Sequence, residues 1–108
     1  PGRVSLQVLG SGGPELDSER ASSSYLVWLD GRARLLVDAG AGSAQRFAAS
    51  GARIEDLQAI AFTHLHVDHS VDLPAFVKAS FFGPRDQHLP VLGPAGNALM
   101  PATSEFLQ

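Results

Sequence analysis

THLHVDHSVDL, spanning residues 63–73, decides both the fold and the chemistry expected of this 108-residue sequence. Three of the four histidines of the chain and one aspartate fall within six consecutive positions there: His64, His66, Asp68 and His69. Imidazole and carboxylate groups are the ligands that zinc, iron and manganese take in proteins. The cluster therefore predicts part of a metal site.

The spacing within the cluster suits two ions. His64 and His66 are two positions apart, so an extended segment places both imidazoles on one face, whereas a helix would separate them. Asp68 and His69 are adjacent, and a turning loop would direct them to a second ion beside the first. The alternative is a loop of exposed polar residues. Four ligand side chains after an apolar segment favour the metal site.

Composition narrows the class of protein. With 44% hydrophobic and 18% charged residues, the chain is typical of one globular domain over residues 1–108. It has no cysteine, so any metal must be held by nitrogen and oxygen. The net charge is −3, with Lys78 the one lysine among eight basic residues, and no basic patch indicates a nucleic-acid surface. No apolar run is long enough to cross a membrane.

Local patterns predict a layered α/β domain. Alternating apolar residues at 4, 6 and 8 predict a strand, and the Asp30-Gly31 hairpin signal joins two more, at 25–29 and 33–37. Strands and helices then alternate. We expect a helix over 44–50 capped by Ser43 and followed by Gly51, a buried strand over 57–62, a helix over 72–82 capped by Asp72, a strand over 89–92, and a helix beginning near 103. The serines at 22–24 are expected in a solvated loop, with contact to an anionic substrate as the alternative.

Several motifs carry a family resemblance. The T-H-x-H-x-D-H pattern at 63–69 resembles the signature of the metallo-beta-lactamase superfamily, and LLVDAG at 35–40 is similar to that family's strand ending in Asp-x-Gly. GSGGP at 10–14, SSSY at 22–25 and LGP at 92–94 are similar to the branch that contains ribonuclease Z and certain arylsulfatases. The resemblance extends from Leu6 to Pro94.

The resemblance implies an α/β fold, the N-terminal half of an αββα metallo-beta-lactamase sandwich, with two zinc ions or, alternatively, manganese or iron. His64 and His66 would bind the first ion, and Asp68 and His69 the second. Asp68 would also be the catalytic proton shuttle. Asp38 would orient a ligand histidine through a hydrogen bond. For Asp38, the role of a strand-end residue that closes a turn stays equally open.

The implied function is that of a metal-dependent hydrolase, in which a metal-activated water attacks a sulfate, phosphate or carboxylic ester. We expect a small-molecule ester as substrate, no nucleic acid at this portion of the protein and no membrane; the oligomeric state is not indicated. A ribonuclease Z-like phosphodiesterase that processes tRNA 3′ ends is the alternative enzyme. The acidic balance of the chain counts against it. A non-catalytic metal-binding half-domain is the third hypothesis.

Further ligands are missing from the expected set. The family supplies another histidine to each ion and a bridging aspartate from the second half of the fold, and none is identifiable here. The remaining histidine, His88, precedes a predicted strand and is expected at the surface. We therefore expect the chain to be part of a longer protein. Because Pro1 rather than methionine begins it, a leader could have been removed, which favours export over a cytoplasmic location.

We predict that the isolated 108-residue chain binds zinc weakly or at a single site. Each ion would have two ligands here, whereas a catalytic zinc takes three from the protein. Isothermal titration calorimetry measures the affinity and the stoichiometry. Tight binding of two ions together with robust turnover would contradict the expectation that the chain is incomplete.

Overall fold

The computed structural model describes residues 3–13, 20–63, 67–82 and 89–94. In these residues one five-stranded sheet has the order β1-β2-β3-β4-β5. The elements are β1 (Val4–Gly10), β2 (Ser24–Leu29), β3 (Arg32–Val37), α1 (Ser43–Ala49), a 3-10 turn (Ile54–Asp56), β4 (Ala59–Ala61), α2 (Val67–Ser70), α3 (Leu73–Phe82) and β5 (Val91–Leu92). None of the described helices is long and apolar enough to span a bilayer.

The first three strands form the predicted antiparallel meander. β1 pairs with β2 and β2 with β3, both antiparallel. The connection between β2 and β3 contains Asp30 at φ 51° and Gly31 at φ 81°. Two successive positive φ angles are what the tightest hairpin turn requires, and Asp-Gly supplies them at low cost. The hairpin signal in the sequence is thus confirmed.

The sheet changes from antiparallel to parallel after β3. β4 pairs parallel to β3, and β5 parallel to β4, with α1 lying in the connection that returns the chain to the sheet. α1 is followed by Gly51 at φ 82°, as predicted for the residue after the helix. The predicted N-cap was wrong by one residue: Gly42, at φ 85°, is the cap. Ser43 is the first helical residue and is completely buried.

Other predicted elements are shorter or differently placed. β4 covers three of the residues expected at 57–62, because its pairing with β3 is limited to Leu35, Leu36 and Val37. The loop expected before residue 72 contains the one-turn helix α2. α3 confirms the helix predicted up to Phe82. The helix expected near 103 and His88 lie outside the described residues.

One face of the sheet packs against the helices. Leu26, Leu36 and Ile60 pair in one row across β2, β3 and β4, and each is 0% exposed. Phe47 of α1 and Phe76 of α3 meet above them edge to face, with ring centroids 5.3 Å apart. Each fully buried side chain of this size contributes about 1.5–3 kcal/mol to folding. This core holds α1 and α3 on that face of the sheet.

The opposite face of the sheet is an open apolar surface. Strand register places one row across all five strands, made of Val8, Tyr25, Val37, Ala61 and Leu92. A second row on the same face is made of Leu6, Val27, Leu35 and Ala59. Leu6 is 65% exposed and Val8 56%. An open apolar sheet face of this kind is what the predicted two-sheet sandwich requires.

The glycine-rich segment at 10–13, which begins with the last residue of β1, lies against residues 21–23. A Cβ atom on Gly10 would lie 2.0 Å from the carbonyl oxygen of Ser22. The N–H of Gly12 donates to the carbonyl of Ala21 at 2.9 Å. The serines 22–24 were expected in a solvated loop, and that expectation was wrong, since Ser22 is 9% and Ser24 0% exposed. Gly10 pairs with Ser24 and Gly12 with Ser22, so the glycine-rich segment lies directly beside these serines.

We predict that Gly10→Ala lowers the free energy of unfolding by about 3 kcal/mol, because the backbone of Ser22 has to move to admit the methyl group. Gly51→Ala is the matched control. Its Cβ would meet nothing within 4 Å, so the positive φ alone costs about 1 kcal/mol. Urea unfolding of both variants gives the two values. Equal losses would show that backbone contact at Gly10 is not the cause.

Candidate metal-binding site

The candidate site lies where parallel strands β3 and β4 end. Asp38 directly follows β3, and its N–H donates to the carbonyl of Ala61, the last residue of β4, at 2.8 Å. Thr63 follows two residues after β4. Because β3 and β4 are parallel, the segments that follow them leave the sheet at the same end. The carboxyl ends of parallel strands are where α/β proteins place their functional groups.

Asp38 is the centre of a buried hydrogen-bond cluster. Its side chain accepts the N–H of Thr63 at Oδ1 (2.8 Å) and the hydroxyl of Thr63 at Oδ2 (2.8 Å). Oδ2 also lies 2.7 Å from Nδ1 of His69. The residue is 1% exposed, so these partners replace the water that a carboxylate would otherwise bind.

The contact with Asp38 sets the proton on the His69 ring. A carboxylate oxygen only accepts hydrogen bonds, so Nδ1 of His69 is the donor. In the neutral imidazole, Nε2 then carries the lone pair. A ring oriented in this way is the arrangement that metal-binding histidines adopt. The contact with Asp38 thus orients the ring of His69 and leaves Nε2 as its acceptor nitrogen.

Backbone bonds hold His69 from the other side. The N–H of Ala39 donates to the carbonyl of His69 at 2.6 Å, and the N–H of Asp72 donates to the carbonyl of Ala39 at 2.8 Å. These two bonds join the turn after β3 to α2 and to the start of α3. The position of His69 is therefore determined by both its side chain and its backbone.

Asp72 links the same region to α1. Its Oδ2 accepts the N–H of Ala44 at 3.0 Å, in the first turn of α1. Its own backbone carbonyl accepts the N–H of Ala75 at 3.0 Å and so begins α3. The sequence predicted Asp72 as a cap for its own helix, and the structure gives its carboxylate a partner in a different helix. Sequence spacing contains no signal for that contact, since 28 residues separate the pair.

The structure describes only part of the predicted ligand set. His64 and His66 lie outside the described residues, and Asp68 is described only as part of the backbone of α2. Within the described side chains, no three of the His, Asp and Glu residues come together as a metal site. The set of four ligands and the role of Asp38 toward a metal therefore stay predictions. Asp38 lies at the end of β3 with φ 63° and contacts His69, so a strand-end role and contact with a histidine are compatible.

Thr63 is the residue that the sequence reasoning missed. In the sequence, Thr63 is only the first residue of the T-H-x-H-x-D-H signature. In the structure it gives two hydrogen bonds to Asp38 and lies 3.4 Å from Nδ1 of His69. Its place directly before the histidines, after an apolar strand, was the available signal.

A model of the metallo-beta-lactamase superfamily matches residues 17–105, most of the chain. The chain belongs to the metallo-beta-lactamase superfamily. The match covers the segment that carries Asp38, Thr63 and His69. Proteins of this superfamily usually bind metal ions, which accords with the cluster around Asp38.

A sequence relative and two solved structures place the chain more closely. Ribonuclease Z of Mycolicibacterium paratuberculosis is 40% identical over 109 residues, which cover 97% of this chain and 39% of that enzyme. The chain thus spans well under half of that relative. The metallo-beta-lactamase fold protein YhfI from Bacillus subtilis superposes with a TM-score of 0.75 at 27% identity, over 89% of this chain and 40% of that one. The short form of human tRNase Z superposes with a TM-score of 0.73 at 27% identity, over 84% and 35%.

These matches decide two of the expectations. The fold expected from the resemblance, the N-terminal half of an αββα sandwich, is confirmed. The expectation of a small-molecule ester substrate and no nucleic acid was wrong, because the relatives are named ribonuclease Z and tRNase Z, enzymes of RNA. The net charge of −3 was a poor basis for excluding nucleic acid, because the net charge of part of a protein does not indicate where the whole protein binds its substrate. None of the matches supports export.

We predict that Asp72→Ala lowers the free energy of unfolding by about 1 kcal/mol, because α1 loses the acceptor for one of its first N–H groups. Asp72→Asn is the matched control, since the amide oxygen still accepts the N–H of Ala44 and stability should stay near wild type. Urea unfolding measures both variants. An asparagine variant as unstable as the alanine variant would show that charge, and not capping, is what Asp72 supplies.

Proposed function

We propose that this chain carries half of the metal site of a ribonuclease Z-like phosphodiesterase, a metal-dependent hydrolase that processes the 3′ ends of tRNA precursors. The contact of Asp38 with His69 carries the proposal, in a chain 40% identical to a ribonuclease Z over 97% of its length. Since the chain spans 39% of that enzyme, the activity is proposed for the whole protein.

The proposed ligands are those of the signature. His64 and His66 would hold one ion, and Asp68 and His69 the other, with zinc as the proposed metal and manganese or iron as alternatives. The orientation of His69 supports this assignment. Its Nδ1 faces Asp38 at 2.7 Å, so Nε2 is the nitrogen that would reach a metal. A neutral imidazole backed by a carboxylate is a donor that suits zinc.

The residues of the chain have separate roles in the proposed reaction. When bound, two ions of this kind supply a nucleophile from water and neutralise charge at the phosphate. Asp38 keeps the ring of His69 in one tautomer and one orientation. Thr63 holds the carboxylate of Asp38 through its N–H and its hydroxyl. Asp68 is proposed to accept a proton during attack on phosphorus and to return it to the leaving oxygen, the work of a general acid–base group.

We predict that the protein expressed from its complete gene cleaves the 3′ extension from a tRNA precursor, and that a chelator abolishes the cleavage while added zinc restores it. Asp68→Asn should lower kcat by roughly a hundredfold or more, because an amide cannot shuttle a proton. Asp30→Asn is the matched control, since Asp30 lies in the β2–β3 turn and pairs with Arg3 at the surface. Gel assays of the labelled precursor measure the rates.

The same preparation tests the substrate class. Chromogenic sulfate and phosphate esters are assayed beside the tRNA precursor. Turnover of a chromogenic ester with no cleavage of the precursor would overturn the proposed function. Cleavage that survives complete removal of metal would overturn the proposed role of the histidine cluster.

A further inference from the structure

We propose that Ser24 is a positioning residue that orients His69 through Asp38. The inference rests on the proposed function, in which His69 is a metal ligand. Ser24 is the first residue of β2 and is 0% exposed. Its hydroxyl donates to the backbone carbonyl of Asp38 at 2.8 Å, across 14 positions of sequence.

The backbone of Asp38 needs such a partner because its conformation is unfavourable. Asp38 has φ 63°, in the left-handed region that side chains other than glycine rarely adopt. Among the described residues, Asp30 is the other non-glycine residue with positive φ. Asp30 lies in an exposed hairpin turn that requires this conformation, whereas Asp38 is buried at the end of a strand. Tertiary contacts must therefore hold Asp38 in place.

Backbone hydrogen bonds join residues 22–23 to residues 40–41, and the side chain of Ser24 adds a bond to Asp38. The N–H of Gly40 donates to the carbonyl of Ser23 at 3.1 Å, and the N–H of Ser22 donates to the carbonyl of Ala41 at 2.9 Å. Residues 22–24 thus run beside residues 38–41. The hydroxyl of Ser24 is the group of this segment that bonds Asp38 itself.

A chain of contacts follows from this arrangement. Ser24 holds the carbonyl of Asp38, the φ of Asp38 sets the direction of its carboxylate, and the carboxylate sets the ring of His69. Removal of the hydroxyl leaves a buried carbonyl without that donor and releases the turn. The ring of His69 then loses its fixed orientation. The effect on metal binding arises without any change to a proposed ligand.

The test compares Ser24→Ala with Ser22→Ala in the protein expressed from its complete gene. Ser22 is the matched control: its hydroxyl, in the same buried segment, donates to the carbonyl of Gly13 at 3.0 Å, outside the Asp38 cluster. Three quantities are measured: the NMR signal of the Nδ1–H of His69 in metal-free protein, the zinc dissociation constant by competition with a chelator, and the urea midpoint. The signal is assigned by its loss in His69→Asn.

Both variants are expected to lose stability. Only Ser24→Ala is expected to shift or broaden the His69 signal and to weaken zinc binding, by on the order of tenfold. Ser24→Thr keeps a hydroxyl and should restore both. If the alanine variant does not fold, Ser24→Cys keeps the volume with a weaker donor and should show a smaller change in the same direction.

An unchanged His69 signal and zinc affinity in the Ser24 variants would overturn the proposal, and so would an equal change in Ser22→Ala. The two proposals fail separately. If the Ser24 variants alter the His69 signal but the wild-type protein does not cleave the tRNA precursor, the positioning role stands and the proposed function falls. If cleavage is present and the signal does not respond, the positioning role falls alone.

Discussion

The structure of the candidate site depends on one buried carboxylate. Asp38 is 1% exposed, and burying a negative charge without partners would oppose folding strongly. Its oxygens are satisfied by Thr63 on one side and His69 on the other. The segment after β4 and the segment containing α2 must therefore both come to the end of β3. The same requirement that stabilises the charge brings a histidine into a defined orientation.

The topology of the sheet makes that meeting possible. In an antiparallel meander, the carboxyl ends of neighbouring strands lie at opposite ends of the sheet. The change to parallel pairing after β3 brings the ends of β3 and β4 together. The bond from the N–H of Ala39 to the carbonyl of His69 holds α2 beside them, and Asp72 joins α1 to the start of α3. The two apolar rows lie on the other face of the sheet, and they accord with the second layer of a sandwich.

The superfamily match and the 40% sequence identity to a ribonuclease Z overturned the expectation of a small-ester substrate without nucleic acid, and RNA is the substrate that we propose instead. The geometry of the site around Asp38 did not contribute to this correction of the expected substrate. The buried carboxylate of Asp38 and the oriented ring of His69 do not distinguish one ester from another, because metal-assisted hydrolysis uses the same chemistry for each. Composition and net charge are averages over the chain, so they do not describe the geometry of the site.

By itself, the sequence determined the superfamily through the signature at 63–69, the β1–β3 meander with its Asp30-Gly31 turn, and the helix that ends at Phe82. These are local features, set by residue spacing and by backbone preferences within a few positions. Tertiary structure alone decided the burial of Ser24, the bond from Asp72 to α1, and the place of Thr63 between Asp38 and His69. Each joins segments distant in sequence or gives a second partner to a buried group. Such contacts form because buried polar groups must be paired, and the sequence does not state which distant residue will be near.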